Sequence, residues 1–468
     1  MTDHDAASTG RDLTRPGSGA PASPWQRTGL VVLGGSALVL TIASLTGSLL
    51  GFTQKAACRA GAWNTPYGPF TGHCYTDIYP LYFSEQLAAG KVPYFGHHVE
   101  YPVLIGGAMQ SIAWLVATVT DPAVRGRDFF DLTVLLLTVF LIAGVLGTAY
   151  AAGRNRRWTG LLVALSPALI LSAFINWDLI AFGFVGLGMA AWAGRRHVLA
   201  GVLLGLGIAT KFYPVIFFGP LLLLCLRAGR MRAFWTTTAS AALAWLAVNL
   251  PVWIAAPSGW ATFYWLSETR GADWGSIWYF FEYNHWLVLG DAQPLNHMSF
   301  AAFGVCCVGI ALLTLAAPRR PRLPQLLFLI LATFLMTNKV WSPQYVIWLV
   351  PLVVLARPRL WSYALWQLAE IGYFFGIWAY LLTQVGGHGG IGAGLYFASL
   401  LGRFCTVGLL AVLVVKDILR PDTDIVRLGG EDDPAGGVLT GAPDRFVLNL
   451  HLRRTPHSSA DPAQPHQP

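Results

Sequence analysis

Charge is the first thing this sequence has little of. Only 12% of its 468 residues are Asp, Glu, Lys or Arg, against roughly a quarter in a soluble domain, which excludes water as the main solvent of the fold. Cysteine is scarce too, with six residues, too few for a disulfide-built scaffold. Cys225, Cys306, Cys307 and Cys405 fall inside apolar runs, where cysteine acts as a small buried hydrophobe. There is no GxxxxGK followed by Ser or Thr, no HExxH and no internal repeat, so nucleotide-driven transport and zincin chemistry have no footing. The first 28 residues lack the cationic-then-apolar layout of a cleavable signal, and the run at 29–51 is expected to stay as an anchor.

Hydrophobic residues make up 55% of the chain. They gather into runs such as 29–51, 130–152, 233–256, 298–317, 360–382 and 392–415, each near or above the roughly 20 residues that cross a bilayer. The net charge of +8 comes from arginines that punctuate these runs: Arg154, Arg156 and Arg157; Arg195 and Arg196; Arg227, Arg230 and Arg232; Arg319, Arg320 and Arg322; Arg357 and Arg359. Short cationic loops mark a cytoplasmic face, so the excess reads as topology and not as nucleic-acid binding.

With those clusters inside, 159–193, 198–226 and 324–356 become hairpins, each shorter than the roughly 40 residues that two full crossings need. Their tips should stop below the outer membrane surface and leave a recess there. The run 101–120 opens with Tyr-Pro and holds a Gly-Gly pair; parity requires that it not cross, so it is expected as a re-entrant or surface helix. The expected architecture is an all-α polytopic membrane protein with about 12 transmembrane helices plus that extra helix. Its membrane body spans 29–416, with outer loops at 52–100 and 257–297. The polar segments 1–28 and 417–468 are expected to be disordered on the cytoplasmic side.

The hairpin tips hold INWDLI at 175–180, TKFYP at 210–214 and NKVWSPQY at 338–345. Asp178, Lys211 and Lys339 thus gather at the membrane boundary, where an ionisable group needs water, a partner or a ligand. Two lysines against one aspartate leave a positive surplus suited to a phosphate; snorkelling and mutual pairing are the plain alternative. In the first outer loop, Asp77 precedes a short amphipathic stretch at 78–89 and is either a helix cap or a general base beside the recess. His97, His98 and Glu100 read as hydrogen-bonding groups for phosphate or sugar, since adjacent histidines rarely converge on one metal ion without further ligands. Cys58 and Cys74 in the same loop would close a short disulfide if the loop lies outside the cytoplasm. The second loop, with FYWLSETRGADWGSIWYFFEYNHW at 263–286, reads as an interfacial aromatic belt, with sugar stacking the alternative. Glu370 and Arg403, inside the last two spans, read as an ion pair, with a lipid-phosphate contact by Arg403 the alternative.

These segments in order, an acid in the first outer loop, the Tyr-Pro helix, INWD, GLGIATKFYPVIFFGPLLLL and NKVWSPQYVIWLVP, resemble the glycosyltransferase C superfamily over about residues 30–415. The nearest resemblance is to the actinobacterial polyprenyl-phosphate-mannose-dependent transferases of glycosyltransferase family 87. It implies a many-helix fold with an outer recess, a donor sugar on polyprenyl phosphate, typically mannose, and Asp77, by position, as catalytic base. The paired acids of several superfamily members are missing, because Ile78 follows Asp77. That departure removes support for a divalent ion, so no metal and no cofactor is expected.

For such a transfer a carboxylate accepts the acceptor hydroxyl's proton while cations stabilise the departing phosphate. Lys211 and Lys339 are expected in that second role, with Asp178, Asn338, Gln344 and Tyr345 orienting the substrate. One base and no enzyme nucleophile imply a single, inverting displacement. The expected protein is a multi-pass plasma-membrane transferase moving mannose from polyprenyl phosphate to an extracytoplasmic glycan or glycolipid. A transporter or lipid flippase and a lipid-binding scaffold are the alternatives.

Overall fold

The computed structural model describes residues 24–59, 61–288 and 291–448, with side chains from Gly35 onward. Of the segments expected to be disordered, 1–23 and 449–468 lie outside the described residues, while 24–28 form the start of the first helix. The helices in chain order are α1 (Pro24–Gln54), α2 (Ala56–Arg59), α3 (Gly68–Thr71), α4 (Ile78–Ser84), α5 (Val103–Leu115), α6 (Pro122–Ala151), α7 (Thr159–Ala164), α8 (Pro167–Ser172), α9 (Asp178–Ala193), α10 (His197–Thr210), α11 (Phe218–Ala228), α12 (Met231–Ala255), α13 (Pro257–Thr269), α14 (Ile277–Tyr283), α15 (Ala292–Ala316), α16 (Leu323–Thr337), α17 (Val346–Ala356), α18 (Leu360–Gln384), α19 (Ala393–Leu419) and α20 (Ile425–Leu428). No strand occurs among the described residues, and every apolar run read from the sequence is helical. Gly35–Gln54 of α1, together with α6, α12, α15 and α19, is long and apolar enough to cross a membrane, so the chain is an integral membrane protein.

Other apolar helices come as short hairpins: α7, α8 and α9; α10 and α11; α16 and α17, while α18 is a single helix of 25 residues. With 14 residues, α10 rises about 21 Å, short of the roughly 30 Å hydrocarbon layer. Polar side chains repair the breaks. Between α7 and α8, Ser166 Oγ accepts from Leu169 N at 3.3 Å and donates to Gln367 Oε1 of α18 at 2.9 Å. Small residues set the closest helix crossings, as membrane packing favours. A Cβ on Gly147 of α6 would sit 2.4 Å from the Gly186 carbonyl carbon of α9, and one on Gly205 of α10 would sit 2.3 Å from the Ala241 carbonyl oxygen of α12. At 13 residues, α5 rises about 20 Å, also short of the hydrocarbon layer. The glycine run 386–392 contains a GxGxxG spacing but joins α18 to α19. With no strand before it, it is no dinucleotide turn.

One expectation is corrected. Residues 421–448, assigned to a disordered tail on their Asp, Gly and Pro content, are folded against the arginine-bearing loops. Asp424 is buried and pairs with Arg322 at 2.7 Å, Asp433 accepts from Leu323 N at 2.8 Å, and Trp192 Nε1 donates to Gly436 O at 3.0 Å. Low hydrophobicity signals disorder only when no partner supplies the missing contacts, and here the arginine loops supply them. The segment runs as a strap across one end of the bundle, opposite the hairpin tips.

Candidate active site

The segment 73–78 is built onto the first hairpin tip. Thr76 is buried and its Oγ1 donates to Phe174 O at 2.6 Å; Asp77 N donates to Ile175 O at 2.6 Å. A disulfide between Cys58 and Cys74, the pairing left open from sequence, ties the same segment to α2, just beyond the end of α1. Gln54 Nε2 adds a bond to His73 O at 2.5 Å. Asp77 occupies the N-cap position of α4, but its carboxylate makes no capping hydrogen bond. The carboxylate is half-buried and accepts from Tyr101 Oη at 3.2 Å and from Tyr75. Burial pushes its pKa up from 3.8 to about 6, with the nearby charge of Glu100 adding, while the two tyrosine hydrogen bonds and Lys211 pull the other way. A carboxylate in that range is poised to take a proton near neutral pH.

Asp178 and Lys211, from the first and second tips, form an ion pair at 2.9 Å, with Asp178 fully buried. The Lys211 ammonium lies 4.8 Å from the Tyr101 ring centroid, which places it next to the hydroxyl that contacts Asp77. Beside this pair the rings of Tyr213, Trp348 and Tyr345 stack at 4.3 and 3.9 Å. Tyr345 is half-buried and Gln344 buried.

Other candidates face elsewhere. Lys339 Nζ donates to Glu268 O at 2.9 Å and Arg270 O at 2.6 Å, satisfying carbonyls at the C-terminal end of α13; burial lowers its pKa. Asn338 closes its own turn, with Nδ2 on Val340 O at 3.0 Å and Oδ1 accepting from Lys339 N at 2.9 Å. His97 pairs with Glu85 at 2.9 Å, His98 with Thr262 Oγ1 at 2.8 Å, and Glu100 with Arg270 at 3.3 Å. The last two clasp the first outer loop to the second. Arg403 is fully buried against Glu370 at 3.1 Å and donates to the carbonyls of Trp341 and Ser342 at 2.9 and 3.3 Å, the ion pair expected from sequence.

The profile of glycosyltransferase family 87 matches residues 101–343, just over half of the chain. The chain belongs to glycosyltransferase family 87. The match takes in the first two hairpin tips, the second outer loop and the third tip as far as Pro343, but begins after Asp77 and ends before Gln344 and Tyr345. A GPI mannosyltransferase 1 from Aspergillus fumigatus (strain ATCC MYA-4609 / CBS 101355 / FGSC A1100 / Af293) is 31% identical over 171 residues, 34% of this chain and 37% of that relative. The chain thus spans little more than a third of the relative it matches. Among solved structures, ArnT from Cupriavidus metallidurans, bound to undecaprenyl phosphate, aligns over 86% of this chain and 79% of its own with a TM-score of 0.40 and 16% identity.

The structure also brings residues to this family 87 site that sequence reasoning passed over. Arg270 is exposed at the rim, on the loop that Lys339 holds. Asp273 is half-buried, its N donating to Lys339 O at 2.8 Å and its pKa raised by burial. Both sit in the aromatic stretch read as a membrane belt, where the RGAD at 270–273 was the available signal. Tyr75, stacked on Trp378 at 4.7 Å, and Lys55, fully buried, complete the surroundings of Asp77.

Proposed function

We propose that this glycosyltransferase moves mannose from polyprenyl phosphate to an extracytoplasmic glycan or glycolipid, with Asp77 as general base. The observation that carries the reading is the Asp77 carboxylate: released from capping, held by two tyrosine hydroxyls, and set beside the Asp178–Lys211 pair. The arginine clusters at the opposite end favour the tips as the extracytoplasmic side of a plasma membrane. The polyprenyl tail then stays in lipid while its phosphate reaches the recess edge and the acceptor arrives from water.

In the reaction the acceptor oxygen attacks the anomeric carbon and loses its proton to Asp77, and the bond from that carbon to phosphate oxygen breaks with its electrons going to phosphate. From a β-linked donor, inversion makes the products an α-mannoside and polyprenyl phosphate. Lys211 and Arg270 are the cations placed to stabilise the developing phosphate charge. Lys339 supports them by fixing the backbone beneath Arg270. His97, His98 and Glu100 each face a different protein partner, so the donor set does not suit a metal, and the mechanism takes none.

The test is transfer of radiolabelled polyprenyl-phosphate-mannose into a membrane-glycan extract by the purified protein in lipid. Label entering glycan with the native chain and not with Asp77→Asn supports the reading. Equal transfer by a folded Asp77→Asn protein excludes Asp77 as base, and no transfer by either rejects the donor or the acceptor.

A further inference from the structure

Asp273 and Trp274 stand side by side in the second outer loop, and the mechanism uses neither. Trp274 is 37% exposed. The rings nearest to it, Tyr279 at 4.9 Å and Tyr380 at 5.9 Å, meet it tilted and edge-on, so neither stacks flat against it. The backbone beneath is pinned. Asp273 N donates to Lys339 O at 2.8 Å, Asp273 O accepts from Ser276 Oγ at 2.8 Å, and Trp274 O accepts from Tyr396 Oη. A Cβ on Gly275 would lie 2.1 Å from Trp341 O. The third hairpin tip and α19 thus fix the backbone that carries both side chains, the support a binding site needs. The loop also borders the recess, because Arg270 is clasped to Glu100 at 3.3 Å, next to the Tyr101 that contacts Asp77.

Asp273 forms no ion pair among the described residues, since Arg270 is taken by Glu100. Its carboxylate accepts from the amides of Trp274 and Gly275, which leaves acceptor capacity on a group with about four lone-pair sites. A lipid-facing aromatic belt accounts for Trp286, 70% exposed beside His285 and Leu287. It does not account for a carboxylate fixed next to an exposed ring, because hydrocarbon penalises the charge. A sugar does account for it: a pyranose presents C–H bonds to an aromatic face and hydroxyls to a carboxylate. The negative charge repels the donor's phosphate, which leaves this corner to a neutral group coming from water. We propose that Asp273 and Trp274 form a subsite for a neutral pyranose unit of the acceptor, Trp274 covering its C–H face and Asp273 accepting hydrogen bonds from its hydroxyls. The assignment to the acceptor rests on the proposed transfer; sugar binding itself is measured without it.

The test uses the full chain in lipid nanodiscs without donor and reads binding of methyl α-mannopyranoside by saturation-transfer NMR. Its Kd should rise about tenfold in Trp274→Ala and about tenfold in Asp273→Asn, and stay unchanged in Trp286→Ala. In transfer from polyprenyl-phosphate-mannose, the first two variants should raise the amount of glycan extract giving half-maximal rate about tenfold, with the KM for the donor unchanged. No binding by the native protein, an equal Kd in Trp274→Ala, or an equal loss in Trp286→Ala overturns the subsite. A rise in the donor KM in place of the acceptor effect overturns its assignment to the acceptor. Trp274-dependent binding by a native protein that transfers no mannose upholds the sugar subsite and overturns the proposed transfer. If Trp274→Ala does not survive extraction, Trp274→Leu carries the same comparison.

Discussion

At the arginine end of the bundle, Arg322 meets Asp424 at 2.7 Å, Arg320 and Arg227 share Asp444 at 2.6 and 2.7 Å, Arg319 meets Asp432 at 2.6 Å, and Arg357 is bonded to Asp417. At the tip end, Asp77 has tyrosine hydroxyls and Lys55 and Lys339 have carbonyls, while Asp178 with Lys211 and Glu370 with Arg403 form buried pairs. Ion pairing at the first end neutralises charge and fixes loops. At the second, Asp77, Lys55 and Lys339 are instead held by neutral dipoles, which orient a group without cancelling it. The contrast separates groups that hold the fold from groups whose charge remains available to a substrate.

The sharpest way to break that comparison is Asp77→Asn. Transfer should fall at least about 100-fold, the scale of a lost general base, while folding is kept. The sign of the stability change is informative. Folding favours the protonated form of a carboxyl raised from 3.8 to about 6, so its stabilising contribution is full below 3.8 and is lost as pH rises through about 6. A neutral asparagine should therefore melt no lower than the native chain at pH 7.5, and a clearly lower melting temperature would place Asp77 with the structural charges.

At the other end the same kind of change should act on stability. Arg322→Ala leaves Asp424 buried and unpaired and should cost about 3–5 kcal/mol, read by thermal unfolding in detergent. Arg319→Ala, at an exposed pair, should cost under about 1 kcal/mol. Equal losses would show that burial does not set the value of these pairs. Arg270→Ala should raise the KM for the lipid donor about tenfold with no change in melting temperature. Lys339→Ala should lower both donor affinity and melting temperature, because it frees the carbonyls that hold the loop. The smallest effect is expected from a chelator: transfer should be unchanged in EDTA, and a loss reversed by added divalent ion would require a metal at this site.

Much of the helix arrangement was legible in the sequence because apolar length and arginine spacing are local signals. The tips were legible for the same reason: INWD, TKFYP and NKVWSPQY interrupt otherwise apolar runs, and a charge there has few places to go. The partners were not legible. Lys339 looks like a free cation until the carbonyls of Glu268 and Arg270, some seventy positions earlier, are brought to it. Lys55 looks like the flank of an anchor, and Arg270 like one polar residue in an aromatic belt. Residues 421–448 carry the composition of a solvated tail, and composition holds no information about the arginines they meet.

The strap bears on how the protein is made. Residues 421–448 leave the ribosome after every helix they pin, so loops at Arg156, Arg227 and Arg320 must wait for Glu431 and Asp444 before their charges are matched. Insertion of the helices and locking of their ends are thus separate events in time. A chain stopped at Arg420 would be inserted but unlocked, open to quality-control proteases at the end away from its chemistry.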